Sequence, residues 1–300
     1  AEVNGFKVRG VLELAGEAVA TVEGREAEKQ MWLQVTSGQL MFKDVPERAR
    51  ASLDLLPEAH KFDALVIDEA QDIMMEELLG IVSAWVKGGL VAGKWALFMD
   101  ENQWIFGNKG VSVDSFRRMF PKCAVRNLLA NCRNTEEIAM FANQMGALRD
   151  PNAYDRLLVK HRKSSDHASP AVSFYDSDDD QDTQVLTQIM KSLDEGVPPG
   201  EIVVLSPLKD ASCATRLASK GFGDLIVPYQ TGASGKIRYE TIHRFKGLES
   251  YSVIVTDLNE FPTKGDFIPN RELLYTAVTR AVFRLDLYAH SRLAVNFAGI

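Results

Sequence analysis

Residues 62–79 read FDALVIDEAQDIMMEELL. The apolar run 64–67 ends in two adjacent carboxylates, Asp68 and Glu69, with Gln71 and Asp72 close behind. The run reads as a buried strand. MMEELLGIVSAWV (74–86), with apolar positions three and four apart, reads as the helix after it. A strand feeding a helix, repeated along the chain, predicts a largely parallel sheet between helices. Acids at the carboxyl end of such a strand stand where open α/β sheets bind ligands. There Asp68 can hold Mg2+ against nucleotide phosphates, often through water. Glu69 beside it can position an attacking water and take its proton. A bare Asp-Glu pair could equally cap the next helix; the apolar run before it and AQD after it favour the nucleotide reading.

The pattern extends outward from this stretch. WALFM (95–99) reads as a second buried strand, VSVDSFRRMF (111–120) as a short helix and AVRNLLAN (124–131) as a strand. TEEIAMFANQM (135–145) is a helix opened by Thr135, with acids in its first turn. Residues 146–170, punctuated by Pro151 and Pro170, read as loop or linker, and DSDDDQD (176–182) as a solvated loop entering a helix. Helices follow at 183–194, 209–219 and 271–281, and strands at 201–206, 237–241, 252–258 and 283–289. Upstream, residues 25–35 are helical in composition, ERARASLDLL between Pro46 and Pro57 forms one short helix, and residues 3–14 suit a strand with a turn. The two alternating runs predict two α/β domains, 1–125 and 126–300.

The bulk numbers narrow the class. Of 300 residues, 46% are hydrophobic and 25% charged, as in ordinary globular proteins. No apolar run approaches the roughly 20 residues that span a bilayer, and the opening AEVNGFKVRG has no apolar signal-peptide core. It also lacks an initiating Met, so the chain reads as trimmed from a longer one. Cys123, Cys132 and Cys213 have no metal-ligand spacing, and an odd count argues against a disulfide framework; a reducing cytoplasm is the expected setting. The net charge of −7 excludes a surface that is basic all over but leaves room for one basic groove.

A nucleotide site needs a phosphate cradle, usually G-x-x-x-x-G-K-[ST]. GGLVAGKW (88–95) has Gly88, Gly93 and Lys94 correctly spaced, but Trp95 replaces the hydroxyl residue that meets Mg2+. Its polarity is also reversed. A phosphate loop runs from strand into helix, whereas here a helix precedes and a strand follows. TGASGKIRY (231–239) fails because Gln230 stands where the first glycine should be.

Taken in order, the motifs over roughly 58–290 resemble the UvrD/Rep group of superfamily 1 helicases. ALVIDEAQD resembles the Walker B motif, and LFMDENQWIF (97–106) the third motif. LLANCRNTEEIAMFAN (128–143) is similar to the fourth, ETIHRFKGLESYSVIV (240–255) to the fifth and ELLYTAVTRA (272–281) to the sixth. NCRNT together with RFKGLE is also similar to helicases that carry a nuclease-related domain further upstream.

The resemblance implies two RecA-like P-loop NTPase-type domains, the first incomplete, in the C-terminal part of an ATP-dependent 3′-to-5′ DNA helicase. ATP and Mg2+ are then the cofactors and single-stranded DNA the partner. It implies Gln103 as sensor of the terminal phosphate, Arg133 and Arg280 as arginine fingers, and Glu249 as a nucleotide-contacting acid. Thr241 and His243 match positions that touch the DNA backbone, and Trp104 and Phe106 would stack on bases, each stack worth about 1–3 kcal/mol. Two arginines from a second domain neutralise the transferring phosphoryl group only when that domain closes, which couples hydrolysis to stepping. The sequence departs from the group at Cys132, where a tyrosine usually stacks on adenine, and in lacking a Trp after the third motif. The phosphate loop is expected in an N-terminal region upstream of residue 1, so that this chain alone is inactive. The alternative is a degenerate, non-hydrolysing module that binds nucleic acid or a protein partner.

Overall fold

The computed structural model describes residues 2–3, 6–7, 10–100, 103, 110–126, 128, 131–147, 169–259 and 271–297. The chain divides into two compact units, one of residues 1–101 with 106–125, the other of residues 102–105 with 126–300.

In the first unit, β1 (Glu2–Val3) and β2 (Phe6–Lys7) pair antiparallel. Then come α1 (Val11–Val22), α2 (Arg25–Thr36) and α3 (Val45–Asp54). The strand-and-turn expectation for 3–14 therefore fails from Val11 onward. Leu14, Ala15, Ala18 and Val19 sit at helical spacing and bury against Met31, Val45, Ala49 and Ile81. Gly16 disguises this helix, since glycine in a helix interior argues against one. Its reason is steric: a Cβ there would lie 2.9 Å from Trp32 Nε1 of α2.

β3 (Leu65–Ile67), α4 (Glu76–Trp85), the short α5 (Gly89–Ala92), β4 (Trp95–Leu97) and α6 (Val113–Met119) complete the unit. Trp85 Nε1 donates to Leu14 O at 2.9 Å and ties α4 to α1. β3 and β4 form a parallel pair with Val66 opposite Ala96. They do not have the buried character expected of 64–67 and 95–99, because Val66 is 66% and Phe98 48% exposed. Parallel strands are enclosed when helices cover both faces of a broad sheet, and among the described residues this sheet has two strands.

The second unit is built on one six-stranded sheet, parallel throughout, in the order β5-β10-β9-β6-β8-β7. In chain order its elements are α7 (Glu136–Ala147), β5 (Ala171–Tyr175), α8 (Asp178–Asp194), β6 (Ile202–Ser206), α9 (Cys213–Leu217), β7 (Ile226–Pro228) and β8 (Ile237–Thr241). The remainder are α10 (Ile242–Phe245), β9 (Ser250–Leu258), α11 (Arg271–Val278), β10 (Ala281–His290) and α12 (Ala294–Phe297). Alternation along β6 explains its burial on both faces. Val203 and Leu205 join Ile138, Phe141, Phe245 and Leu274 on one side. Ile202 and Val204 join Val185, Ile189, Cys213 and Leu217 on the other. The architecture is α/β with mainly parallel sheets, as the alternation of elements predicted.

Several local expectations change. The strand at 124–131 is absent from its described residues, and Leu128 there is 79% exposed. β5 and β7 were not legible as strands. Helix α8 begins inside the acidic run, with Ser177 Oγ accepting from Asp180 N at 3.2 Å and three aspartates favouring its dipole. Thr135 precedes α7, but its buried hydroxyl has no hydrogen-bond partner among the described residues.

Candidate functional site

Register brings distant segments of the second unit together. Ser250 opens β9 and Ala281 opens β10, and these two residues are paired in the sheet. The residues just before them, Glu249 and Arg280, therefore share the amino-terminal edge, where Ser250 N donates to Arg280 O at 3.0 Å. Arg280 is 1% exposed. Its Nη2 donates to Gln103 Oε1 at 3.0 Å and to Thr279 Oγ1 at 3.1 Å. Its Nε donates to Thr276 O at 3.0 Å, and its Nη1 to Leu248 O at 3.2 Å. Gln103, itself buried, belongs to the same unit. Arg133 reaches the cluster from the loop before α7, its Nε donating to Glu249 Oε2 at 2.8 Å. Four of the residues singled out in the sequence thus form two pairs, linked through the main chain at Leu248 and Ser250.

The loop around Arg133 owes its shape to two asparagines that sequence reasoning passed over. Asn131 Oδ1 accepts from the backbone N of Arg133 and of Asn134, both at 3.0 Å. Asn134 Nδ2 donates to Thr279 O at 3.3 Å and to Ala281 O. The signal was present in NCRNT: asparagine flanking a non-helical turn serves main-chain groups.

The acidic tip of the first unit is ordered by Gln71. Glu69 takes a left-handed backbone conformation, φ 52°, one of two such non-glycine residues described. Its amide donates to Asp68 Oδ1 at 2.9 Å, and its carboxylate accepts from Gln71 Nε2 at 2.5 Å. Gln71 Oε1 accepts from Asp100 N at 3.1 Å, so this 1% exposed side chain links the ends of β3 and β4. A left-handed non-glycine residue costs about 1–3 kcal/mol and concentrates at functional sites. Asp68 is exposed. Among the described residues no three potential metal ligands cluster.

Thr241 and His243 lie elsewhere, at the carboxyl end of β8 and in α10. Thr241 Oγ1 accepts from Arg244 N at 3.3 Å and caps that helix. Burial, and then nearby Lys246, hold the His243 imidazole below its usual value. Trp104 and Phe106 lie outside the described residues.

Residues 236–287, which include Glu249 and Arg280, match the family model described as the UvrD-like helicase C-terminal domain. Over these residues the chain is similar to the C-terminal domain of UvrD-like helicases. Among curated proteins, the ATP-dependent DNA helicase UvrD2 of Mycobacterium bovis, and likewise that of Mycobacterium tuberculosis, is 26% identical over 151 residues. That match covers 48% of this chain and 21% of the relative, so the chain spans about a fifth of the curated proteins it matches. Among solved structures, the C-terminal domain of a possible DNA helicase from Lactobacillus plantarum WCFS1 is similar with TM-score 0.41 and 20% identity, over 53% of this chain and 88% of that one. The PRRSV helicase follows with TM-score 0.38 and 15% identity, over 77% and 36%. These scores add nothing to the architecture read from the sheet itself. The matched residues map onto β8, α10, β9, α11 and most of β10, the elements that flank Glu249 and Arg280.

Proposed function

We propose that this chain is the C-terminal part of an ATP-dependent DNA helicase or translocase that steps along single-stranded DNA, 3′ to 5′ by likeness to the UvrD group. The observation that carries the reading is that Gln103 pairs with Arg280 and Arg133 with Glu249, four separate motifs brought side by side where Arg280 Nη1 donates to the carbonyl of Leu248. The donor chemistry fits a nucleotide phosphate. Guanidinium groups suit anionic oxygen, and here Arg133 rests on the Glu249 carboxylate while Arg280, buried, rests on Gln103.

In this reading Arg133 and Arg280 neutralise charge that develops on the terminal phosphoryl group, and Gln103 senses it. Glu249 contacts the nucleotide. Glu69 orients the attacking water and takes its proton. Asp68 is the carboxylate for Mg2+, an ion that keeps most of its ligands as water and phosphate oxygen and so asks little of the protein. ATP, when bound, supplies the phosphoryl group whose hydrolysis drives stepping. Thr241, His243, Trp104 and Phe106 serve the strand. The phosphate loop comes from an upstream region of the same protein, and the open apolar face marked by Val66 and Phe98 supports a need for further cover on β3 and β4.

Hydrolysis assays test this. The 300-residue chain alone is expected to bind ATP weakly and to show no DNA-stimulated turnover. Robust turnover by it, lost on Glu69→Gln, would overturn the division of labour. In the full-length protein Arg280→Ala should abolish most turnover; unchanged turnover removes that arginine from the mechanism. A degenerate binding module is the second reading, favoured by exposed Cys132 in place of an aromatic face. It requires that the full-length protein bind DNA or a protein partner without nucleotide turnover.

A further inference from the structure

The loop bearing Arg133 is fastened to the turn bearing Arg280 by bonds in which neither guanidinium takes part. Asn134 is 3% exposed. Its Nδ2 donates to Thr279 O at 3.3 Å and to Ala281 O, the two carbonyls that flank Arg280. Its Oδ1 accepts from Asn131 Nδ2 at 2.9 Å, which fixes the amide against flipping. Asn131 Oδ1 in turn holds the backbone N of Arg133. Beside these, Thr135 N donates to Val282 O at 3.2 Å. Both N–H donors of Asn134 and one acceptor position are used, close to the full capacity of a primary amide.

We propose that Asn134 is a positioning residue that sets the spacing between the Arg133 and Arg280 guanidinium groups, with Asn131 holding it in register. The proposal rests on the nucleotide role assigned to those arginines. Arg280 is gripped by Gln103, Leu248 O and Thr276 O. Arg133, by contrast, is part-exposed and meets Glu249 in an ion pair that is itself 51% exposed at the acid. Such pairs fix geometry weakly, because solvent screens them and the long side chains keep their freedom. The place of Arg133 is therefore set by its backbone, and its backbone is set by the two amides. Donors aimed at developing charge must be preorganised, and a displacement of about 1 Å can cost about 100-fold in rate.

The residue type is demanding. Serine at 134 can reach one of the two carbonyls. Aspartate has the same shape but no donor, and its carboxylate would face two carbonyl oxygens until protonation restores one bond.

Steady-state ATP hydrolysis by the full-length protein, with single-stranded DNA present, tests this. Asn134→Ala should lower kcat about 10- to 100-fold and leave KM within about threefold. Asn134→Ser should fall between it and wild type. Asn134→Asp should recover activity relative to wild type as the pH falls from about 8 to about 6. Asn134→Ala combined with Arg133→Ala should cost no more than Arg133→Ala alone, since residues acting as a unit are non-additive. A silent Arg280→Ala overturns the functional reading beneath the proposal. A damaging Arg280→Ala beside a silent Asn134→Ala, or losses that multiply in the double variant, overturns the positioning role alone. If Asn134→Ala does not fold, the Ser and Asp variants decide: wild-type kcat and an unaltered pH profile in both would sink the proposal.

Discussion

Arg280 and Gln103 are joined side chain to side chain, Nη2 to Oε1 at 3.0 Å, across 177 positions of sequence. Both are buried. A buried guanidinium is tolerated only where acceptors meet its N–H groups, and here Leu248 O, Thr276 O and Thr279 Oγ1 supply the others. The bond anchors Gln103 to the unit formed by residues 126–300.

This arrangement makes the fork, not the charge, the structural requirement. Arg280→Lys keeps the cation but cannot reach acceptors that lie in several directions around a plane. The expected loss is about 2–3 kcal/mol of stability, against about 1 kcal/mol for Gln103→Ala, which removes a single acceptor. Urea unfolding of both variants checks the order. A lysine variant as stable as wild type would contradict the burial of the guanidinium.

The Arg133–Glu249 pair should behave in the opposite way. The side chains are 36% and 51% exposed, so solvent screens the 2.8 Å contact and its net worth is below about 1 kcal/mol. Glu249→Gln is expected to leave the melting temperature within about 2 °C while altering nucleotide turnover in the full-length protein. A large drop in melting temperature would make Glu249 a structural residue, and unchanged turnover would remove it from the nucleotide site.

The sequence revealed most where period and burial agree. β6 and β9 contain apolar runs long enough to stand out, β8 and the 283–287 stretch of β10 alternate apolar and polar residues, and α4, α7 and α11 carry apolar residues at helical spacing. β5 and β7 escaped because they sit at the edges of the sheet, where Val172 and Val227 are only part-buried and the polar neighbours break the run. α1 escaped because Gly16 interrupts it for the sake of an indole on the next helix. At the candidate site, charged residues inside compact motifs were legible. Asn131 serves main-chain groups two and three residues on, a signal that NCRNT carried, whereas Asn134 was not legible, because what it does depends on carbonyls about 145 residues away.

A second buried charge makes a prediction about folding alone. Asp257, 2% exposed and with φ 59°, sits near the carboxyl end of β9. Ser206 Oγ and Thr256 Oγ1 donate to its Oδ2 at 2.7 and 2.8 Å. Cys213 N donates to both carboxylate oxygens at 3.1 Å, and Arg216 Nη1 approaches Oδ1 at 3.5 Å. Asp257→Asn tolerates the left-handed backbone but turns an N–H2 toward this ring of donors. It should cost about 2–4 kcal/mol, whereas Ser206→Ala should cost about 1 kcal/mol. Denaturant midpoints compare the two, and near-equal losses would show that the carboxylate is not the hub.

Asp286 should give the second unit an unusual pH dependence. It lies on β10, and burial pushes its carboxyl up to about 6, against the opposing pull of Gln188, Lys191 and Arg284 and with a smaller push from Glu195. Gln188 Nε2 donates to Oδ2 at 3.2 Å. Because the folded-state value is raised, the folded protein holds this proton more tightly than the unfolded chain. The contribution is therefore most favourable below the ordinary carboxylate range near 4. It falls as pH rises through about 6, and is flat above that. A difference of about 2 pH units corresponds to about 3 kcal/mol, and partial exposure reduces the expected loss to about 1–2 kcal/mol. Asp286→Asn keeps an acceptor for Gln188 and removes the charge. Its stability relative to wild type should grow between about pH 4 and pH 6.5 and then level off. Urea unfolding of both proteins across that range checks it, and a difference independent of pH would show that Asp286 ionises as an ordinary surface acid.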